Sequence, residues 1–183
     1  MLEKKLLTLA SAVGILACGA CFLPPLPEPK PPLPPALASM HIIAIDVEDG
    51  TASNFFDPLI MSKATASNFN RLWKEFPVRA KAFNAGGPSD AMLRITVFRK
   101  KASCKPGDKG KQFCSFEMIA SFAVTAAEGR ILEDKSEELS KFGLWLEGKP
   151  LPESWNSNPF RQEAAFALAM TAGDKLFVSK RPN

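Results

Sequence analysis

The stretch CSFEMIASFAV, which runs from Cys114 to Val124, is the clearest strand signal in the chain. Successive side chains of a strand point to opposite faces of the sheet. One face of this stretch is apolar and carries Cys114, Phe116, Met118, Ala120, Phe122 and Val124. The opposite face carries Ser115, Glu117 and Ser121. The alternation predicts a long strand that buries one side, and that side needs a second layer to cover it.

A helix that could supply this layer is predicted from Pro58 onward. Asp57 is a favourable N-cap and Pro58 suits the first helical position, while Phe56 and Met61 have the spacing of a hydrophobic staple. Pro77 would end the helix. The apolar positions at helical spacing are Phe69, Leu72, Trp73 and Phe76. We predict that this helix face and the apolar strand face form one core.

A second covering helix is predicted between Asn158 and Gly173. Asn158 would cap it, Pro159 would occupy its first position, and Gly173 would end or interrupt it before Leu176. Its inner stripe would consist of Phe160, Ala164, Ala167, Leu168 and Thr171.

Three further segments alternate like strands. They are 41–47, 92–98 and, more weakly, 78–83, which would be an edge strand. Segment 142–155 is predicted to be irregular. The order of strand, helix, several strands and helix predicts an α+β fold, a two-layer sandwich whose mainly antiparallel sheet is covered on one face by two helices.

The N-terminus has the pattern of an export signal. Residues 1–5 contain Lys4 and Lys5 against one Glu3, and twelve uncharged residues follow at 6–17. A membrane-spanning helix needs roughly 20 apolar residues, so this run is short for a span. A positive start followed by a short apolar run and small residues predicts a secretory signal.

The end of this run, ILAC from Ile15 to Cys18, resembles a lipobox, the processing signal of bacterial lipoproteins. The aliphatic Ile15, the small Ala17 and the cysteine carry the resemblance. It implies that residues 1–17 are removed as a signal peptide and that Cys18 becomes a lipid-modified N-terminus, with palmitate among its acyl chains. It also implies an exported protein anchored in the outer membrane and facing the periplasm, since Gly19 rather than Asp follows the cysteine.

Three other interpretations apply to the same residues. An ordinary signal peptidase could cut after Ala20 and leave Cys21 first, or the run could stay uncleaved as a short anchor. Cys18 and Cys21 also have the CxxC spacing of redox and zinc sites. A redox pair needs the N-terminus of a helix in a folded domain. These cysteines precede a proline tract instead, so the redox interpretation is the weakest.

Eight of the twelve residues from Pro24 to Pro35 are proline. Proline fixes φ and lacks a backbone N–H, so this tract is predicted to form polyproline II. At about 3.1 Å per residue it spans roughly 37 Å. We interpret residues 18–38 as a Pro-rich tether, with a PxxP ligand as the less favoured alternative. Residues 39–183 then form a single α+β domain.

The remaining cysteines, Cys104 and Cys114, enclose a segment that contains the turn residues Pro106, Gly107 and Gly110. In the oxidising compartment that follows export, such a pair is expected to form a disulfide. A zinc site would need about four ligands, and two cysteines with the distant His41 do not supply them.

Segment 99–111 is predicted to be a basic hairpin tip, in which Asp108 is the one carboxylate. Its cations are Arg99, Lys100, Lys101, Lys105, Lys109 and Lys111. The simpler interpretation is a solvated loop held by the disulfide. The functional one is a contact for anionic lipid headgroups or an acidic partner. Trp145 and Trp155 would either fold back onto the core or join a binding surface.

Catalytic and cofactor motifs are not recognisable in this sequence, so we expect neither an enzyme nor a cofactor or metal site. Its single histidine is His41, and there is no tyrosine. Asp46 and Glu48 lie two apart on one strand face, which leaves a tethered or secreted hydrolase as the alternative function. A solvated strand end explains them as well. From Ser39 onward the chain contains 20 Lys+Arg and 17 Asp+Glu, which does not argue for nucleic-acid binding.

The predicted element order is also similar to that of small periplasmic lipoproteins that assist envelope assembly. Examples are the lipopolysaccharide-assembly lipoprotein and the lipoprotein activators of penicillin-binding proteins. With the lipobox, this resemblance implies a membrane-anchored lipoprotein with a non-enzymatic binding or assembly-accessory domain in the cell envelope. Its partners would be the membrane, through the lipid anchor, and an envelope protein or anionic lipid.

Overall fold

The computed structural model of the chain describes residues 33–51, 54–147 and 157–178. Within them lie strands β1 to β5 and helices α1 and α2. In chain order these are β1 (Ile42–Asp49), α1 (Pro58–Leu72), β2 (Arg79–Ala82), β3 (Ala91–Pro106), β4 (Lys111–Ala126), β5 (Ile131–Glu147) and α2 (Asn158–Ala172). A π-helical turn, Gly173–Phe177, continues α2.

The five strands form one mixed sheet in the order β2-β1-β3-β4-β5. β1 is parallel to both of its neighbours, whereas β3, β4 and β5 are antiparallel to one another. Helix α1 connects β1 to β2, as a parallel pair requires, and it packs on both strands and on α2. Helix α2 packs on β5. The predicted α+β class, with a mostly antiparallel sheet packed against two helices, is therefore confirmed.

The core lies between the sheet and the helices, on the apolar face of β4. All six residues of that face are fully buried, whereas Ser115 on the other face is exposed. Phe69 of α1 belongs to the same core, and Leu72, Trp73 and Phe76 pack against it. The predicted core between these residues and the strand face is thus confirmed, but α1 ends at Leu72 and not at Pro77, so Trp73 and Phe76 lie just after the helix. Leu37, within the segment 18–38 interpreted as a tether, is also fully buried in this core.

Helix α1 begins as its sequence indicates. The Oδ1 atom of Asp57 accepts hydrogen bonds from the N–H groups of Leu59, at 2.9 Å, and Ile60, at 3.2 Å. These bonds satisfy two donors that would otherwise lack a partner in the first turn. Phe56 and Met61, the predicted staple residues, are both buried.

The N-cap of helix α2 lies one residue before the predicted position. Ser157 rather than Asn158 is the N-cap residue, and its side chain makes no capping bond. Asn158 instead accepts a hydrogen bond from Arg161, at 3.0 Å. The shift moves Pro159 to the second helical position. Its missing N–H costs nothing there, because the N–H groups of the first turn have no intrahelical acceptor.

Two segments that the sequence indicates as loop or irregular are strand. β3 continues through 99–106, so the hairpin tip is confined to 107–110, and β5 continues through 142–147. The physical reason is the length of β4, whose sixteen residues offer a hydrogen-bonding ladder to strands on both sides. Pairing and packing against such a neighbour outweigh a charged local sequence.

Gly173 makes a close contact that no larger residue could make. The Trp73 indole occupies the space where a Cβ atom on Gly173 would lie, and the indole N–H donates to the carbonyl of Ala169 at 3.1 Å. The backbone of Gly173 is helical, with φ −62° and ψ −49°, so alanine would fit the local conformation. The nearest obstacle to substitution is the indole.

We therefore expect Gly173→Ala to lower the free energy of unfolding by roughly 1–3 kcal/mol, the usual cost of overpacking. Chemical denaturation of the purified protein measures it. A double-mutant cycle with Trp73→Ala supplies the control, because the added methyl group meets no indole in that background. An equal loss of stability in both backgrounds would show that the indole is not the cause.

Candidate binding surface on the three-stranded arm

Beyond the end of β1 the sheet continues as three strands, which we call the arm. The last pairing of β1 with β3 joins Asp49 to Val97. After that point 99–106 of β3, 111–119 of β4 and 139–147 of β5 pair only with one another among the described residues. The arm carries most of the residues that the sequence singles out as binding candidates.

A β-bulge at the base of the arm decides which way its cations point. The pairing register of β3 shifts between Val97 and Arg99. After the shift, Arg99, Lys101 and Lys105 lie opposite Ile119, Glu117 and Phe113, on the face of the sheet that faces away from the core. Bulges commonly re-aim side chains in this way.

Lys100 lies on the other face, opposite Met118. Its ammonium is 3.9 Å from the centre of the Phe55 ring, a cation–π contact. Burial lowers the pKa of Lys100, and the nearby charge of Asp49 opposes that effect. Lys100 thus contacts Phe55 on the inner face, whereas Arg99, Lys101 and Lys105 lie on the opposite face.

The predicted disulfide is present in the arm. Cys104 and Cys114 lie directly opposite each other on β3 and β4 and are joined. With a separation of ten residues, the closed loop contributes roughly 2–3 kcal/mol by chain entropy. The bond ties β3 to β4 where β1 no longer supports it.

Aromatic packing fixes the arm to the helix layer. The ring of Phe116 stacks on Phe142 of β5 at 4.9 Å and meets Phe160 of α2 edge to face at 4.9 Å. Each such pair adds roughly 0.5–1.5 kcal/mol beyond its buried area. The arm is therefore held on its inner face while its outer face remains exposed.

At the far end of the arm Trp145 lies among basic residues, a group we call the tip cluster. Trp145 is 64% exposed and its ring lies 5.3 Å from that of Phe113, which is 38% exposed. Lys109 and Lys111 line a shallow cleft with Trp145 and Asp108. The structure thus brings three predicted binding residues together. Trp155 lies outside the described residues.

Nearer the base, a cleft of about 550 Å³ opens beside β3. Its lining residues are Thr51, Phe98, Arg99, Lys100, Lys101, Glu117 and Ile119. Arg99 pairs with Glu137 at 3.2 Å, and Glu117 pairs with Lys141 at 2.9 Å. The hydrogen bond and charge of Lys141 lower the pKa of Glu117. The lining thus combines the apolar side chains of Phe98 and Ile119 with three cations and one carboxylate.

Sequence reasoning missed Thr51, Phe98 and Phe113 as members of this surface. Phe113 could have been found, because continuing the alternation of β4 by one residue before Cys114 places it outward. Thr51 and Phe98 could not, since they reach the cleft through a turn after β1 and through the bulge.

Asp46 and Glu48, the two carboxylates of the hydrolase alternative, both form ion pairs with Arg94. The Nε atom of Arg94 lies 3.4 Å from Asp46 and 3.1 Å from Glu48. Thr96 also donates to Glu48, at 3.3 Å. These residues lie on neighbouring strands, β1 and β3, and form an ion-pair network across them. The arrangement gives a structural reason for both carboxylates without any catalytic role.

Two kinds of feature are absent from the described ranges, 33–51, 54–147 and 157–178. No group of three His, Cys, Asp or Glu residues is arranged to hold a metal ion in those ranges. Neither α1 nor α2 combines the length and the apolar character that crossing a membrane requires.

Comparisons with known proteins give fold similarity only. No protein-family model and no curated protein sequence matches the chain. Its structure is similar to that of the PelC dodecamer from Paraburkholderia phytofirmans, with 10% identity, a TM-score of 0.38 and coverage of 79% of this chain and 92% of that one.

Two bacterial lipoproteins are also among the similar structures. For lipoprotein GNA1162 from Neisseria meningitidis, the identity is 15%, the TM-score 0.34 and the coverage 73% of this chain and 98% of that one. For rare lipoprotein B from Shewanella oneidensis, the identity is 10%, the TM-score 0.31 and the coverage 73% and 96%.

Proposed function

We propose that the chain is an exported lipoprotein, anchored through lipid on Cys18 in the outer membrane and facing the periplasm, whose domain binds a partner protein of the cell envelope without catalysing a reaction. The observation that carries the binding role is the arm. It is an extension of the sheet that presents aromatic and basic side chains on the face opposite the one covered by α1 and α2.

The anchoring half of the proposal is supported by the sequence. Residues 1–17 have the charge and length of a signal, and Cys18 ends a lipobox-like sequence. The disulfide between Cys104 and Cys114 suits an oxidising compartment. Cys18 itself lies outside the described residues.

The binding half is supported by the chemistry of the arm. Tryptophan and arginine are enriched among residues that dominate binding energy at protein interfaces. Trp145 is largely exposed at one end of the arm, and Arg99 lines the cleft at the other. Because the inner face and the disulfide already fix the arm, little of it must be ordered when a partner binds.

The tip cluster also favours a second candidate, contact with anionic lipid headgroups. An exposed tryptophan beside Lys109 and Lys111 is a combination found at membrane interfaces.

The position of the tip favours the protein partner instead. Ala36 lines a cleft with Ala126, at the end of β4 opposite Lys111. The chain thus enters the domain roughly 50 Å from the tip, at about 3.4 Å per strand residue.

Site-specific photo-crosslinking in the living bacterium separates these candidates. A benzophenone amino acid replaces Trp145, and the matched control replaces Met170, an exposed apolar residue on α2. We expect a discrete protein adduct from position 145 that position 170 does not give and that Lys109→Glu with Lys111→Glu weakens. Equal adducts from both positions would contradict a binding arm, and an adduct with lipid alone would establish the second candidate.

A further inference from the structure

The outer edge of β3 within the arm has no neighbouring strand among the described residues. β1 ends its pairing at Val97, and within the part of the chain that the structure describes, β4 is the strand that pairs with β3 from Arg99 to Pro106. At about 3.3 Å per residue, this edge is roughly 25 Å long. A strand edge of that length offers main-chain N–H and C=O groups to another extended chain.

The edge is held in place before any partner arrives. The disulfide at Cys104 locks the segment to β4, and β4 is in turn bonded to β5 along the whole arm. Near the base, the Lys100 ammonium packs on Phe55. An incoming segment would bear most of the entropy cost of pairing, since the edge is already extended and fixed.

The positive charge of the edge favours an acidic partner strand. Segment 99–106 contains four cations and no carboxylate. On the uncovered face the side chains alternate as Arg99, Lys101, Ser103 and Lys105. An added strand with acidic residues at every second position would place them opposite these cations, and opposite charges on facing strands attract.

The same charges disfavour pairing between the edges of two copies of this protein. Two such edges side by side would bring lysine and arginine against lysine and arginine, and like charges directly opposite are destabilising. Edge lysines are a common protection against self-pairing. Self-association at this edge is therefore disfavoured, whereas an acidic strand is not.

We propose that the edge Arg99–Pro106 receives an extended segment of the partner, acidic at alternate positions, as a sixth strand. This deepens the proposed function, on which it rests, by stating the chemistry of the partner. On the inner face the small Ala102 and the bridged Cys104 leave room for apolar residues between the acidic ones. The cleft beside Phe98 and Ile119 would receive the end of the segment.

The test uses the purified mature protein in detergent and a fluorescent octapeptide that alternates Glu and Val. Fluorescence anisotropy should show saturable binding, and Lys101→Glu with Lys105→Glu should weaken it at least roughly tenfold, because each reversal turns an attraction into a repulsion. Lys63→Glu with Lys74→Glu, at exposed sites on and just after α1, makes the same change of net charge elsewhere and should leave binding within about twofold.

Hydrogen exchange distinguishes strand pairing from charge attraction. The bound peptide should slow exchange of backbone amides within 99–105, which main-chain bonds would protect. Absence of binding, equal weakening by both pairs of substitutions, or binding without this protection would overturn the proposal, as would tighter binding of anionic vesicles at the same edge. Because the measurement needs no intact cell envelope, its failure is distinct from a failure of anchoring or crosslinking.

Discussion

Phe122→Ala is expected to lower the free energy of unfolding by roughly 3–5 kcal/mol. Phe122 is fully buried on the inner face of β4, in the core that the sheet shares with both helices. Removing the ring loses its burial and leaves a cavity that the surrounding side chains fill only in part. Domains of this size are stable by roughly 5–15 kcal/mol, so the midpoint of thermal or chemical unfolding should fall sharply.

Ser121→Ala is the matched control, because Ser121 is the adjacent residue on the opposite face of β4. A substitution there changes no buried apolar contact and should move stability by no more than about 0.5 kcal/mol. If the two variants unfolded at the same denaturant concentration, the face assigned to each residue of β4 would be wrong. The face assigned to Cys114 would then be wrong as well.

Cys18→Ser is expected to remove nearly all of the protein from the washed membrane fraction, or to leave an uncut precursor. Lipid attachment to the lipobox cysteine requires its thiol, which serine lacks. Acyl chains bind a membrane with about 0.8 kcal/mol per buried CH₂ group, so their loss is a loss of many kcal/mol of anchoring. Fractionation followed by immunoblotting measures the change.

The control for this experiment is Cys21→Ser, which keeps Cys18 and should remain in the membrane fraction. Incorporation of labelled fatty acid should follow the same pattern, present in Cys21→Ser and absent in Cys18→Ser. Label that persists without Cys18 would refute lipidation at that residue. If the label were lost in Cys21→Ser but kept in Cys18→Ser, the lipid-modified residue would be Cys21.

Much of the fold could be predicted because its signals are local. The alternation from Cys114 to Val124 specifies which side of β4 is buried, whatever lies beside it. Asp57 and Pro58 specify the start of α1 through backbone donors and a fixed φ, which depend on adjacent residues only. The core of helix and strand faces follows from these elements, because neither apolar face can remain in water.

The extensions of β3 and β5 could not be predicted, because they depend on a neighbour distant in sequence. Segment 99–106 is strongly basic, and nothing local favours a strand there. It is extended because β4 lies beside it and the Cys104–Cys114 bond holds it. The register shift after Val97 likewise depends on pairing with β4, and it alone decides that Lys101 and Lys105 face outward while Lys100 faces inward.

The sequence therefore indicated which residues belong to the candidate site but not how they are arranged in space. Sequence reasoning identified the cations and Trp145 but treated them as a loop and an irregular segment. The structure distributes them over a tip cluster and a strand edge. It also places Arg94 between Asp46 and Glu48, a contact between β1 and β3 that the sequence alone could not indicate.

The intact mass of the protein extracted from membranes tests lipid anchoring most directly. We expect a chain that begins at Cys18. Its mass should exceed that of residues 18–183, with the Cys104–Cys114 disulfide formed, by the mass of the acyl groups. Fragmentation should place that added mass on the first residue. An unmodified chain that begins at Cys21, or an uncut chain that begins at Met1, would contradict it.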